Sequence, residues 1–270
     1  MFAPGGTAAE YPAVPPHLKS RASRLRRSPE TVPPVPQENP PMSLEILVIA
    51  RNEGDRIAET VHALRDAFAD ARVVVVDGGS EDRTAEEAAR AGAEVMRAGT
   101  HGGKGGSATL AVRRALAEPG ADERLFLLCD GDLGASAAEL RPLAEAVERG
   151  EAGLAVAAFA TRRGGGFGIA VGFSRWAIRS LTGLVLRAPI SGQRAMRGAV
   201  LRRLLPFAPG FGLETAMTID AARAGIAVRE VELDLEHRAT GRDLAGFLHR
   251  ARQLLSFVRV YASRRLGSRR

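Results

Sequence analysis

From Leu44 onward, apolar positions fall into short unbroken runs separated by stretches with helical spacing. Leu44-Glu45-Ile46-Leu47-Val48-Ile49-Ala50 predicts a buried strand, 55–68 a helix, and Arg72-Val73-Val74-Val75-Val76-Asp77 a second buried strand. The alternation continues with a helix over 82–91, a short strand over 93–97, a helix over 104–117, a strand over 124–129, a helix over 136–148 and a strand over 153–159. Near-continuous apolar strands joined by helices imply an α/β fold, a mostly parallel sheet with helices on both faces. After 159 the rhythm breaks. A Gly-rich turn at Gly164 to Gly166 leads into a long apolar and basic segment over 167–187, helices near 198–204 and 213–222, a strand over 227–235 and a last helix from about Arg242. There is no internal repeat.

Residues 1–42 do not share this pattern. They hold ten of the fifteen prolines and few large apolar residues, so they cannot bury enough surface to fold alone and are expected to be a disordered tail. Met42-Ser43 directly precedes the first strand, which makes Met42 the expected natural start. The net charge of +7 also divides unevenly. Residues 1–42 carry five Lys/Arg against three Glu, and residues 237–270 nine Arg against one Asp, leaving a net −3 for 43–236. Basicity therefore belongs to the ends. The single cysteine, Cys129, can form no internal disulfide and no Cys-rich metal site, so a reducing cytoplasm is the expected compartment. No apolar run approaches the roughly 20 residues of a membrane-spanning helix.

In open parallel sheets, ligands bind beyond the carboxyl ends of the strands. Those positions are polar here: Arg51-Asn52-Glu53 after the first strand, Asp77-Gly78-Gly79-Ser80-Glu81-Asp82 after the second, Asp130-Gly131-Asp132 after the fourth. No GxGxxG follows the first strand and no GxxxxGK[ST] occurs, so dinucleotide and P-loop sites are excluded. Asp130 and Asp132 place two carboxylates one glycine apart at a strand end, a donor set suited to Mg²⁺ or Mn²⁺ completed by substrate phosphates and water. Gly102-Gly103-Lys104-Gly105-Gly106-Ser107 opens a helix where backbone N–H groups and a lysine can face a diphosphate. Asp77 is the better ligand-contact candidate at the second strand, whereas Asp82 fits a cap cluster with Thr84.

Taken in order, these motifs resemble the GT-A glycosyltransferases of family 2, with an Asn-Glu pair, VVDxxSxDxT, GKG and DxD following successive strands. They read here Asn52-Glu53, Val75 to Thr84, Gly103-Lys104-Gly105 and Asp130-Gly131-Asp132. The second half looks like the polyprenyl-phosphate sugar transferase branch, similar to dolichyl-phosphate mannose synthase. Ser191-Gly192-Gln193-Arg194-Ala195-Met196-Arg197 matches an SGFRxxR-like stretch apart from the Gln, Phe211-Gly212-Leu213-Glu214 a Glu-bearing helix start, and Arg238-Ala239-Thr240-Gly241 an RxxG. The resemblance spans about residues 44–243.

It implies a GT-A, Rossmann-like domain over 43–241, and the spacing beyond it predicts a basic amphipathic helix over 242–270. It implies a nucleotide-diphosphate sugar donor held by Asn52, Glu53, Asp77, Lys104 and Asp130, with Mg²⁺ or Mn²⁺ on Asp130 and Asp132. Where the branch carries an Asp this chain has Ala188, where it offers a further metal ligand this chain has Gly134, and His237 is the candidate replacement metal ligand. Asp132, Glu214 and Arg238 are the candidate catalytic residues, Glu214 as base if the acceptor is a hydroxyl. Arg194 and Arg197 are the candidate acceptor-phosphate contacts. The implied acceptor is a polyprenyl phosphate or cell-envelope glycan precursor, with a small soluble hydroxyl acceptor of the glucosyl-phosphoglycerate type as the alternative.

Two segments could meet a membrane. Phe173, Trp176, Ala177, Leu181, Leu184 and Val185 share helical spacing, with Arg175, Arg179 and Arg187 on the polar side. Leu244, Phe247, Leu248, Ala251, Leu254, Leu255 and Val258 form a second stripe, flanked by Arg250, Arg252, Arg259, Arg264 and Arg265. Peripheral contact with the inner membrane face is the corresponding expectation, against a plain core-facing role. A catalytically silent nucleotide- or nucleic-acid-binding protein is the competing class. Two Tyr, one Trp and no RNP-like or zinc-finger pattern argue against nucleic acid. A nucleotidyltransferase would need a Gly-rich loop where Arg51-Asn52-Glu53-Gly54-Asp55 stands.

Overall fold

The computed structural model describes residues 43–159, 168–235 and 244–267. The proline-rich segment, the Gly164 to Gly166 turn, and His237 with Arg238 to Gly241 lie outside the described residues, as do the side chains of 244–253.

The described residues form a seven-stranded sheet in the order β3-β2-β1-β4-β6-β5-β7. Its strands are β1 (Leu44–Ala50), β2 (Arg72–Asp77), β3 (Glu94–Arg97), β4 (Leu125–Asp130), β5 (Leu154–Phe159), β6 (Arg194–Arg197) and β7 (Val228–Leu233). The unbroken apolar runs follow from burial on both faces. In β1, Ile46, Val48 and Ala50 pack into one core while Leu47 and Ile49 pack into the other, and in β4 Leu125, Leu127 and Cys129 alternate with Phe126 and Leu128. The first core is covered by α1 (Ile57–Ala67), α2 (Thr84–Arg90), a 3-10 segment (Gly134–Leu140) and α4 (Arg141–Glu148). The second is covered by α3 (Gly103–Ala115), α6 (Gly198–Leu204) and α7 (Leu213–Arg223).

Two expectations need correction, and one strand was missed. The helix expected over 136–148 is a 3-10 segment followed by a separate α4, in which Pro142 sits in the first turn, where its missing N–H costs nothing. The segment over 167–187 is helical only as α5 (Gly168–Thr182), so Leu184, Val185 and Arg187 are not part of an amphipathic face, and Arg187 instead pairs with Glu232 at 2.8 Å. The missed strand is β6, which runs antiparallel to both β4 and β5 and separates them. Four residues with arginine at each end carry too little alternation to announce a strand, and only the neighbours on either side define it.

The last helix, α8 (Leu244–Arg265), packs on α5 and α7 through Phe257, Val260 and Arg264. Arg264 is not a surface charge. It is 3% exposed and binds both carboxylate oxygens of Asp220 on α7, at 2.7 and 3.2 Å. No helix among the described residues is long and apolar enough to cross a membrane.

Candidate functional site

Strand order locates the site. β1 has β2 on one side and β4 on the other, so the loops leaving their carboxyl ends diverge and open a crevice there. The loops after β1 and β2 are tied together by their own polar groups. Ser80 donates its N–H and Oγ–H to Asp77 Oδ1, at 2.9 and 2.6 Å, and its Oγ accepts the Asn52 N–H at 2.9 Å. Asn52 Oδ1 accepts the Glu81 N–H at 2.9 Å, and Thr84 Oγ1 accepts the Glu53 N–H at 2.8 Å. Asn52 holds a left-handed backbone (φ 57°), a conformation asparagine tolerates better than most residues. Asp82 accepts from the Gly54 N–H and Thr84 N–H, each at 3.0 Å, the local tying role its position implied. Hydrogen bonds from Gly54 and Thr84 outweigh the cost of burial and hold its carboxyl below the usual range.

The second half of the crevice is ionic. Asp130 continues the Phe126 and Leu128 side of β4 and therefore emerges on the face covered by α3 and α7. Both helices deliver a charge to it from their first turns. Lys104 Nζ lies 2.5 Å from Asp130 Oδ1 and 2.7 Å from Glu214 Oε1. Burial opposes the Lys104 ammonium, but Asp130 and Glu214 overcome that cost and raise its pKa well above the ordinary lysine range. The start of α3 can sit this close because residue 105 is glycine, where a Cβ would lie 1.9 Å from the Ala208 carbonyl oxygen. Behind Asp130, Gln193 Nε2 donates to Oδ2 at 3.0 Å. A Cβ at Gly192 would fall 2.5 Å from that same oxygen.

Asp132 follows on the loop toward the 3-10 segment. Its carbonyl accepts from Arg56 at 3.0 Å, while Thr60 Oγ1 bridges Gly131 O and Gly134 N at 2.9 and 2.8 Å, fixing the turn that carries both aspartates.

The family model for glycosyl transferase family 2 matches residues 45–203, more than half of the sequence. The chain belongs to glycosyl transferase family 2. Glycosyltransferase AglJ of Haloferax volcanii is 30% identical over 209 residues, 75% of this chain, and the chain spans 66% of AglJ's length. Glucosyl-3-phosphoglycerate synthase from Mycobacterium tuberculosis, solved in complex with phosphoglyceric acid, superposes with a TM-score of 0.66 at 26% identity over 82% of this chain and 81% of that one. The same enzyme with Mn²⁺, UDP and phosphoglyceric acid gives 0.66 at 25% identity over 82% and 79%. The sheet, helices and strand-end crevice are thus those of a GT-A glycosyltransferase of family 2.

Within this family 2 transferase, the structure gathers Lys104, Asp130 and Glu214, and places Asn52, Glu53 and Asp77 at the same end of the sheet, on the far side of β1. Asp77 and Asp130 are two strands apart, roughly 10 Å at ordinary strand spacing. Two arginines do not join them. Arg197 pairs in register with Leu125, five residues before Asp130, which puts it roughly 16 Å away at the opposite end of β4. Arg194 is 1% exposed, with its guanidinium bonded to Ser191 O, Thr218 Oγ1 and Pro189 O at 2.9, 3.0 and 3.2 Å. Burial pushes it down to about 10, against the pull of Glu214, Asp130 and Glu230. Arg194 therefore fixes the turn over 189–193 from inside and does not face the crevice.

Asp130 and Asp132 fit a hard divalent cation in their chemistry, being all-oxygen donors at one strand end. Among the described residues no group of three His, Cys, Asp or Glu could hold a metal by itself, so the remaining ligands would come from a diphosphate and water. Gln193 and Ser191 are the site residues that sequence reasoning passed over. Their only signal was a glutamine where the resembling branch carries phenylalanine.

Proposed function

We propose that this chain transfers a hexosyl group from a UDP-type nucleotide sugar to a phosphate-bearing acceptor, with Mg²⁺ or Mn²⁺ on Asp130 and Asp132. The observation that carries the reading is the meeting of Lys104, Asp130 and Glu214 at the mouth of β4, roughly 10 Å from Asp77. That separation suits a nucleoside on the Asn52, Glu53 and Asp77 side and a diphosphate on the Lys104 and Asp130 side. In the reaction the bond from the anomeric carbon to the diphosphate breaks, a bond to the acceptor oxygen forms, and the nucleoside diphosphate leaves. A divalent ion supplies positive charge to the departing diphosphate. Lys104 adds a second positive charge, and Glu214 anchors it from the start of α7.

The acceptor we favour is a polyprenyl phosphate, whose anionic oxygen is itself the nucleophile. Glu214, the candidate base for a hydroxyl acceptor, is 5% exposed and bonded to Lys104, an arrangement that favours chemistry needing no base. A lipid-borne substrate also accounts for the outer face of α5 and α8. Trp176 packs at a tilt against Tyr261 with ring centroids 4.7 Å apart and remains 50% exposed, and the same two helices expose Ile169, Leu255 and Val258 and the arginines 179, 259 and 265. Likeness to a solved enzyme that binds phosphoglyceric acid supports a second reading, a small phosphorylated acceptor used in solution. His237 and Arg238, in the segment beyond β7, are proposed to complete the metal and acceptor contacts.

The test is calorimetric titration with UDP-, GDP-, ADP- and dTDP-sugars, with and without Mn²⁺ or Mg²⁺, on the wild type and on Asp130→Ala with Asp132→Ala. Metal-dependent binding of one nucleotide, lost in the double variant, is expected; binding of none would overturn the donor reading. Turnover is then compared with polyprenyl phosphate in vesicles and with 3-phosphoglycerate in solution. Transfer to the second alone would replace the favoured acceptor by the small one.

A further inference from the structure

The two oxygens of Asp130 are held in different ways. Oδ1 meets Lys104, an ammonium on a flexible stem with a second partner in Glu214. Oδ2 meets Gln193, a neutral amide that is 0% exposed and has no freedom to swing into solvent. The amide is itself held. Ser191 Oγ donates to Gln193 Oε1 at 2.9 Å, and Ser191 is 3% exposed. A carboxylate only accepts hydrogen bonds, so the atom facing Asp130 must be Nε2, which leaves Oε1 to accept the Ser191 hydroxyl. Arg194 completes the arrangement by clamping Ser191 O and Pro189 O, and Gly192 removes the Cβ that would strike Oδ2.

We propose that Gln193 is the positioning residue for Asp130: the relay Ser191–Gln193–Asp130 pins Oδ2 against β6 and turns Oδ1 into the crevice as the oxygen offered to the divalent ion. This inference rests on the donor-site reading above. On it, Asp130 Oδ1 would hold the ion while Lys104 keeps Glu214 and Gln193 keeps Oδ2. Hydrogen-bond partners of metal-ligating carboxylates set ligand orientation, and their loss typically costs about 10- to 100-fold in metal affinity.

The test is Mn²⁺ titration in the presence of UDP, with the free ion read by electron paramagnetic resonance, on wild type, Gln193→Leu, Ser191→Ala, the double variant and Asp130→Ala, with thermal melting of each. Gln193→Leu is expected to weaken Mn²⁺ binding about 10- to 100-fold. Ser191→Ala should weaken it less, and the double variant no more than Gln193→Leu alone, because the hydroxyl acts only through the amide. A merely structural role would instead lower the melting temperature and leave Mn²⁺ affinity intact. Folded Gln193→Leu with unchanged affinity, or additive losses in the double variant, would overturn the inference. If Gln193→Leu does not fold, Gln193→Asn, whose shorter side chain falls short of Oδ2, is read in the same way. Wild type that binds no Mn²⁺ with UDP would sink the donor-site reading; binding lost in Asp130→Ala but unmoved in Gln193→Leu would sink the relay alone.

Discussion

The two ends of this sheet use polar residues in opposite ways. Around β1, β2 and β4, polar side chains sit at the strand ends, bond to the backbone of neighbouring loops, and leave the crevice lined with carboxylates and one lysine. Around β6, α7 and α8, charged side chains go inward, with Arg194 bonded to carbonyls and a threonine and Arg264 to Asp220. The first arrangement ties the loops to one another across the strand ends and leaves the Lys104 and Asp130 side chains 26% and 19% exposed. The second takes charge out of water and depends on its partners being complete. Substitutions should therefore strike binding first in the one region and stability first in the other.

The largest effect is expected from Asp130→Ala with Asp132→Ala, which should abolish metal-dependent nucleotide binding and cut turnover by about 10²- to 10³-fold. Its melting temperature should stay within a few degrees of wild type by differential scanning calorimetry; collapse of the fold instead would break the comparison. Asp220→Ala is the counterpart in the second region. It leaves the Arg264 guanidinium buried without its carboxylate and should cost about 3–5 kcal/mol in urea unfolding, with nucleotide affinity of the folded fraction unchanged.

Gly105→Ala sharpens the boundary between the two. Its Cβ would lie 1.9 Å from the Ala208 carbonyl, so α3 must retreat, and a loss of about 1–3 kcal/mol with weaker nucleotide binding is expected. Gly172→Ala in α5 meets nothing within 4 Å and should gain about 0.5–1 kcal/mol in the same unfolding assay. A separate change concerns the outer face. Trp176→Ser with Leu255→Ser should lower partition onto anionic vesicles by about tenfold while donor affinity holds, measured by co-sedimentation and calorimetry; equal partition would remove the lipid-facing role of α5 and α8.

Much of the first region was legible in the sequence. Apolar runs set β1, β2 and β4, the polar residues directly after them set the crevice, and each such motif spans only a few neighbouring residues. Lys104, Asp130 and Glu214 could be named one by one as candidates, but not as partners. The second region was legible in its helices and misread in its charges. Arg197 and Arg194 were candidate phosphate contacts because they fall in the SGFRxxR-like stretch, yet β6 carries one to the far end of β4 and buries the other. Gln193 showed only as a departure from a pattern, since its partner Asp130 lies 63 positions away.

By itself the sequence determined the α/β alternation, the polar strand ends and the family, because strand burial and loop motifs are written in residues adjacent along the chain. Tertiary structure alone decided that a four-residue strand enters between β4 and β5, that Gln193 backs Asp130, and that α8 turns Phe257, Val260 and Arg264 inward while Leu255 and Val258 face out. A short strand exists only through the neighbours it bonds to. A helix with apolar residues on several sides chooses its buried face by what packs across from it, and that choice is made between segments distant in sequence.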